Sequence, residues 1–198
     1  MSPATIPVNL RDPSNSLPDV VFIDASVLLN GLSPPHINLQ RTTEAEALLR
    51  LVRDAALRGN AFAFTSTHVV EECFFKIIQG YLVQEAKRQQ LGAGNWHRVY
   101  KGQPSLLNTC VPSIRAFYQT LIGIPINVVD PSELTKTSSS SPDIVDMMQD
   151  WIARACVLPA DALHLSEAER LGIYDIAAFG LDFTRAQGFT IYTYSNSI

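Results

Sequence analysis

Apolar and polar positions follow two different periods along this chain, and the switches between them mark out its elements. Val20–Ile23 is a short unbroken apolar run that ends on Asp24, the pattern of a buried parallel strand. Residues 31–42 read as loop. A helix is predicted next: Thr43 and Glu46 have the spacing of a capping box, Ala45, Leu48, Leu49, Val52 and Ala56 form the apolar stripe, and Gly59 closes it. Phe62–Thr65 reads as a second strand, followed directly by a helix from about Thr67 to Gln90 that LGAGN (91–95) breaks. Residues 104–122 read as helical again, with Pro112 expected to kink or split the element. Ile124–Val129 is a third apolar strand, and 132–141 a polar, Ser-rich loop.

Ser141, Pro142 and Asp143 then offer an N-cap, a first-turn proline and a first-turn acid. Ile144, Met147, Met148, Trp151, Ile152 and Ala155 give the helix that follows its core stripe. Another helix opens at Pro159 and runs to Leu171, stopped by Gly172; Ile176–Phe179 and Thr190–Tyr194 read as the last strands. Apolar strands interleaved with amphipathic helices predict an α/β sandwich around a mostly parallel sheet. The tail to about Pro18, rich in Pro, Ser and Asn, has no hydrophobic period and is expected to be loose. Residues 19–198 are read as one domain, in which 86–122 is a helical, basic insertion.

Composition adds exclusions. The 198 residues are 46% hydrophobic, which excludes a wholly disordered chain, and no apolar run reaches the length of a membrane helix. The first 20 residues lack the pattern of a signal peptide. Cys73, Cys110 and Cys156 are odd in number and widely spaced, read as buried small hydrophobes in a reducing cytoplasm. A net charge of −4 argues at first against a nucleic-acid partner. Its distribution argues otherwise. Residues 86–115 carry no acid but hold Lys87, Arg88, Arg98, Lys101 and Arg115, interleaved with Trp96, His97 and Tyr100. That combination suits phosphate contacts with base stacking, so these five cations are read as an RNA-facing surface. Residues 130–182 hold ten acids against three bases.

Parallel sheets bind ligands beyond the carboxyl ends of their strands. Asp24 ends the first strand, Glu71 and Glu72 lie near the start of the helix after the second, Asp161 is in the first turn of the Pro159 helix, and Asp182 follows the fourth strand. Asp161, His164, Leu165 and Ala168 share a helical face, where His164 is expected to be packed or hydrogen-bonded rather than a ligand. If the acids converge, an oxygen-only set suits Mg²⁺ or Mn²⁺ and phosphate chemistry. No His or Cys spacing points to zinc.

At these residues the sequence resembles the PIN-domain nucleases. FIDASVLL is similar to the family's opening strand, an Asp followed two residues on by Ser or Thr. TSTHVVEE is similar to its second block, with the acid seven residues after the Thr, which selects Glu72 over Glu71. LPADALHLSEAERLGIYDIAAFGLDF is similar to the third, D-A-x-x-x-x-x-A-x-x-x-G, then a strand and an acid-aromatic pair. The resemblance covers roughly Val20–Tyr194. It implies a three-layer α/β/α sandwich and RNA phosphodiester hydrolysis with Mg²⁺ or Mn²⁺. It implies Asp24, Glu72, Asp161 and Asp182 as the catalytic, metal-binding acids, supported by Ser26. It extends to VapC-type toxins held inactive by an antitoxin, and to RNA-processing members. Small members often pair as homodimers, and no stripe here marks such an interface. The chain departs from the family after the fourth strand, where Thr-x-Asp or Thr-x-Asn gives way to Ala178, Phe179 and Gly180. Gly180 favours one rival, a catalytically incomplete PIN-like module that binds RNA or protein. A phosphatase with Asp24 as nucleophile is a second rival, disfavoured by Ser26 where that chemistry wants a second Asp.

Overall fold

The computed structural model describes residues 7–33, 41–130 and 142–194. Six parallel strands, β1 (Val8–Asn9), β2 (Val20–Ile23), β3 (Phe62–Ser66), β4 (Ile126–Val129), β5 (Asp175–Ala177) and β6 (Thr190–Thr193), lie in the order β1-β6-β5-β2-β3-β4. The helices are α1 (Ala25–Leu32), α2 (Thr42–Leu57), α3 (Thr67–Arg88), α4 (Trp96–Gly102), α5 (Leu107–Ile122), α6 (Ile144–Ala155) and α7 (Pro159–Arg170). From β2 the chain moves outward through β3 to β4, and α1, α2, α3 and α5 pack on one another along the way. It then returns past β2 to β5 through α6 and α7, which pack together. Right-handed crossovers put the two helical groups on opposite faces, giving the expected three-layer sandwich. The direction of winding reverses at β2 and β5, and the space beyond the carboxyl ends of such strands is where open parallel sheets form a ligand crevice.

The core is the apolar inside of this sandwich. Val21, Phe22, Ile23, Ala63, Ile176, Ala177 and Ile191 of the strands are buried against Leu48 and Val52 of α2, Phe117 of α5 and Leu165 of α7. A satellite cluster of Leu82, Ala86 and Val99, with Ile78, Trp96, Leu106 and Leu107 packed on it, pins α4 to the far end of α3. The basic stretch 86–122 is thus a folded helical lobe rather than a solvated break.

Several local expectations are corrected. Part of the stretch read as a loose tail belongs to the sheet: Val8 and Asn9 pair with Tyr192 and Thr193, and Leu10 is buried. A two-residue strand is too short to show a period. Residues 25–32, the last two of them read as loop, form α1 because Asp24 caps it. The Thr43/Glu46 capping box does not form. Arg41 takes the N-cap place, its N–H donating to Asn30 Oδ1 and its guanidinium to the Phe179 carbonyl, so Thr43 is already helical. Pro112 does not split α5; it and Asn108, whose carbonyl it cannot serve, are both exposed. Asp143 is the N-cap of α6, through Val145 N–H; Ser141 and the 132–140 loop lie outside the described residues. On that helix Trp151 and Ala155 are buried, while Ile152 is exposed. Cys73 and Cys110 are buried, but Cys156 is exposed, in a left-handed conformation that ends α6.

Candidate functional site

The crevice is built from segments far apart in sequence, and its centre is Asp24. That residue leaves β2 in an extended conformation, its N–H donating to the Ala177 carbonyl of β5, so the backbone itself is fixed by the sheet. Its Oδ2 accepts the Ser26 N–H at 2.9 Å, capping α1, and its Oδ1 accepts from His164 Nδ1 at 3.0 Å. Asp24 is only 5% exposed. Burial raises its pKa, but the His164 hydrogen bond and charge, helped by Ser26, outweigh it and hold the carboxyl below its ordinary value.

His164 is the buried link that joins the acids. From α7 it reaches Asp24 through Nδ1, while its Nε2 stands 3.5 Å from Glu72 Oε2 on α3. Burial lowers its pKa, yet Asp24 and Glu72 prevail and raise it above the ordinary imidazole value. The expectation of a hydrogen-bonded helix residue holds. Glu72 turns into the crevice and is partly covered, whereas its neighbour Glu71 is exposed.

Asp161 lies one turn before His164 and is half-buried. Its pKa is raised by burial and by the charges of Asp24, Asp182 and Glu72, against a lowering contribution from His164. The four acids from four segments therefore share one electrostatic neighbourhood. Asp182 is the outermost, with 58% of its side chain exposed and a 2.5 Å pair to Arg185 within the same short 3-10 turn. A side chain at Gly180 would meet nothing within 4 Å, so the missing acid there is a matter of sequence, not of packing. Ser26 does not point a free oxygen into the crevice: its Oγ accepts the Phe179 N–H at 3.1 Å and ties α1 to the end of β5. Cys73 lies beneath, its thiol pushed well up by burial and by Asp24 and Glu72, and so unreactive.

The donor chemistry fits a hard divalent cation, since the crevice offers carboxylate oxygens that repel one another. Among the described residues, no group of three or more His, Cys, Asp or Glu side chains is placed to hold a metal ion. Such ions are commonly held by one or two carboxylates, with waters and substrate phosphate completing the shell, so an open site on Asp161 is compatible.

A second polar group was not legible in advance. Glu167 of α7 is fully buried, and its Oε2 accepts from Ser66 Oγ at 2.5 Å while its Oε1 meets His68 Nδ1. Ser66 also caps α3 by accepting the Val69 N–H at 3.1 Å. A signal existed: Glu167 lies three residues after His164 on a helix whose other buried positions are small or apolar.

The basic residues lie elsewhere. Lys87 and Arg88 end α3, fifteen residues or more beyond Glu72, which places them about 22 Å along the helix from the crevice. Lys87, Arg98, Lys101 and Arg115 are exposed. Arg88 is not free for phosphate, because Glu85, just outside the acid-free stretch, holds its guanidinium in two contacts of 2.7 and 2.5 Å. That pairing draws the Glu85 pKa down to about 2. Of the interleaved aromatics, Tyr100 is exposed and Trp96 is partly used in packing.

No family model and no curated protein matches the chain. Solved structures similar to the chain include the following two. VapC20 of Mycobacterium tuberculosis, a sarcin-ricin loop cleaving toxin, is 16% identical with a TM-score of 0.48, over 84% of this chain and 95% of that one. VapBC2 of Rickettsia felis, solved bound to a DNA fragment from its promoter, is 8% identical with a TM-score of 0.49, over 88% of this chain and 98% of that one.

Proposed function

We propose that the protein is a PIN-type endoribonuclease that hydrolyses RNA phosphodiester bonds with Mg²⁺ or Mn²⁺. The supporting observation is the raised Asp161 carboxyl, on which burial and three other acids from distant segments act together. Buried like charges are expensive unless a cation or protons compensate them. Asp161, joined by one more of the acids Asp24, Glu72 and Asp182, would hold the ion, with waters and substrate phosphate completing its shell. When bound, a divalent ion supplies an acidified water and neutralises phosphate charge. His164 keeps Asp24 ionised and in place, and Ser26 fixes the end of β5 against α1. The test is cleavage of a labelled RNA: turnover with Mn²⁺ present and none after EDTA, restored by adding Mn²⁺ back. Cleavage that persists in EDTA would refute the reading.

A partner antitoxin belongs to the same proposal. So does an RNA path over the lobe carrying Lys87, Arg98, Lys101 and Arg115. Lys101→Gln should weaken RNA binding and reduce the slope of log affinity against log salt by about 0.7, the value for one single-strand phosphate contact. Arg88→Gln should change the slope less, since Glu85 already neutralises Arg88. Fluorescence titrations at three salt concentrations measure both.

A second reading, the catalytically incomplete RNA- or protein-binding module, is favoured by one observation: His164 already bridges Asp24 and Glu72 with its two ring nitrogens. It requires that Mn²⁺ show no saturable binding.

A further inference from the structure

We infer that His68 is the general acid of the hydrolysis, delivering the proton of its Nε2 to the leaving ribose oxygen, and that buried Glu167 positions it. This rests on the ribonuclease reading and adds to it a residue that none of the three sequence blocks assigns. His68 opens α3 at the carboxyl edge of the sheet, one helical turn before Glu72, so the two lie on the same face about 6 Å apart along the axis. Its side chain is 41% exposed while Glu167, behind it, has none of its side chain exposed. A fully buried carboxylate is costly to keep, and here it has two partners, Ser66 Oγ and His68 Nδ1. The Ser66 bond holds the carboxylate still, and the carboxylate then fixes the orientation of the ring. Nδ1–H donates to Glu167, and Nε2 makes no hydrogen bond with any described residue. An imidazole anchored at one nitrogen by a buried carboxylate, on a half-exposed side chain one helical turn from Glu72, has the anchoring that proton transfer requires.

The step balances. Water oxygen bonds to phosphorus, and the P–O bond to the leaving ribose breaks with its electron pair on that oxygen. The oxygen takes the Nε2 proton, the water's surplus proton goes to solvent, and His68 is reprotonated from solvent. A leaving group that needs no proton should make His68 dispensable. The experiment compares ordinary RNA with RNA carrying sulfur in place of the leaving bridging oxygen, under saturating Mn²⁺.

For His68→Gln, kcat on ordinary RNA should fall about 10²–10⁴-fold with KM little changed, while kcat on the sulfur substrate stays near wild type. Glu167→Gln should show the same rescue with a smaller loss. A His68→Gln that cleaves ordinary RNA as wild type does, while Asp161→Asn is inactive, overturns the role of His68 and leaves the ribonuclease reading standing. An equal loss on both substrates also overturns it, by assigning His68 a structural role. Wild-type protein inactive on both substrates and without Mn²⁺ binding overturns both.

Discussion

Asp161→Asn should abolish RNA cleavage and, in EDTA, raise the melting temperature. Both effects follow from one observation: the Asp161 carboxyl is destabilised in the fold by burial and by Asp24, Asp182 and Glu72. An asparagine of the same shape removes one of the mutually repelling charges, so the metal-free fold gains. The signs agree, because an acid with a raised folded pKa destabilises the fold above that pKa, and at pH 7 the amide removes this penalty. The same amide loses a charged oxygen ligand. Several kcal/mol of transition-state charge stabilisation corresponds to a fall in kcat of about 10³-fold or more. The measurement pairs a cleavage assay with thermal melts in EDTA and in Mn²⁺. Mn²⁺ should raise the wild-type midpoint by mass action and leave the variant nearly unmoved. A variant that still cuts, or that melts lower in EDTA, contradicts the assignment.

The combination of gain in stability and loss of activity separates a functional acid from a structural one. Asp182→Asn should lower cleavage less than Asp161→Asn, because most of its side chain is in solvent and it is paired with Arg185.

What the sequence made legible follows from the range of each interaction. Strands buried on both faces show as apolar runs, and Val20–Ile23 and Phe62–Thr65 appear in the structure within a residue of expectation. Long amphipathic helices carry enough repeats to be read through, as α2 shows. Elements set by tertiary contacts were not readable. β1 exists because Val8 and Asn9 meet β6, nearly the whole chain away, and Arg41 begins α2 through bonds to Asn30 and Phe179.

The acids were visible as residue types at the ends of elements; their partners were not. Nothing in the spacing of Asp24 and His164, 140 residues apart, announces a 3.0 Å contact. Glu167 reads as one more acid on a charged helix until the fold buries it against Ser66 and His68. Arg88 looked available because its partner Glu85 lies one residue outside the acid-free stretch.

Asp24→Ala should destabilise the protein by about 3–5 kcal/mol, the usual effect of leaving one member of a buried ion pair alone. Asp24, the acid that ends the first strand of the resemblance, is thus the least suitable for a clean catalytic test. The substitution removes the cap of α1 and strips His164, buried on α7, of its nearer counter-charge. Asp24→Asn should be milder, since an amide oxygen can still accept from the Ser26 N–H, but His164 would keep only Glu72 at 3.5 Å. Urea unfolding in EDTA measures both, and pH separates the contributions. The folded Asp24 carboxyl is lowered, so its stabilisation is complete above the unfolded value of about 3.9 and is lost as pH falls through the folded one. The folded His164 is raised, so its share is complete below about 6.5 and is lost as pH rises through the folded value. The Asp24–His164 pair should therefore contribute most to stability in a window from about pH 4 to 6.5. Asp24→Ala should flatten that window, and a flat wild-type profile would show that the pair is not ionised in the fold. An inactive Asp24 variant says little by itself, because the fold has lost its central knot; Asp161, which caps nothing, carries the functional test.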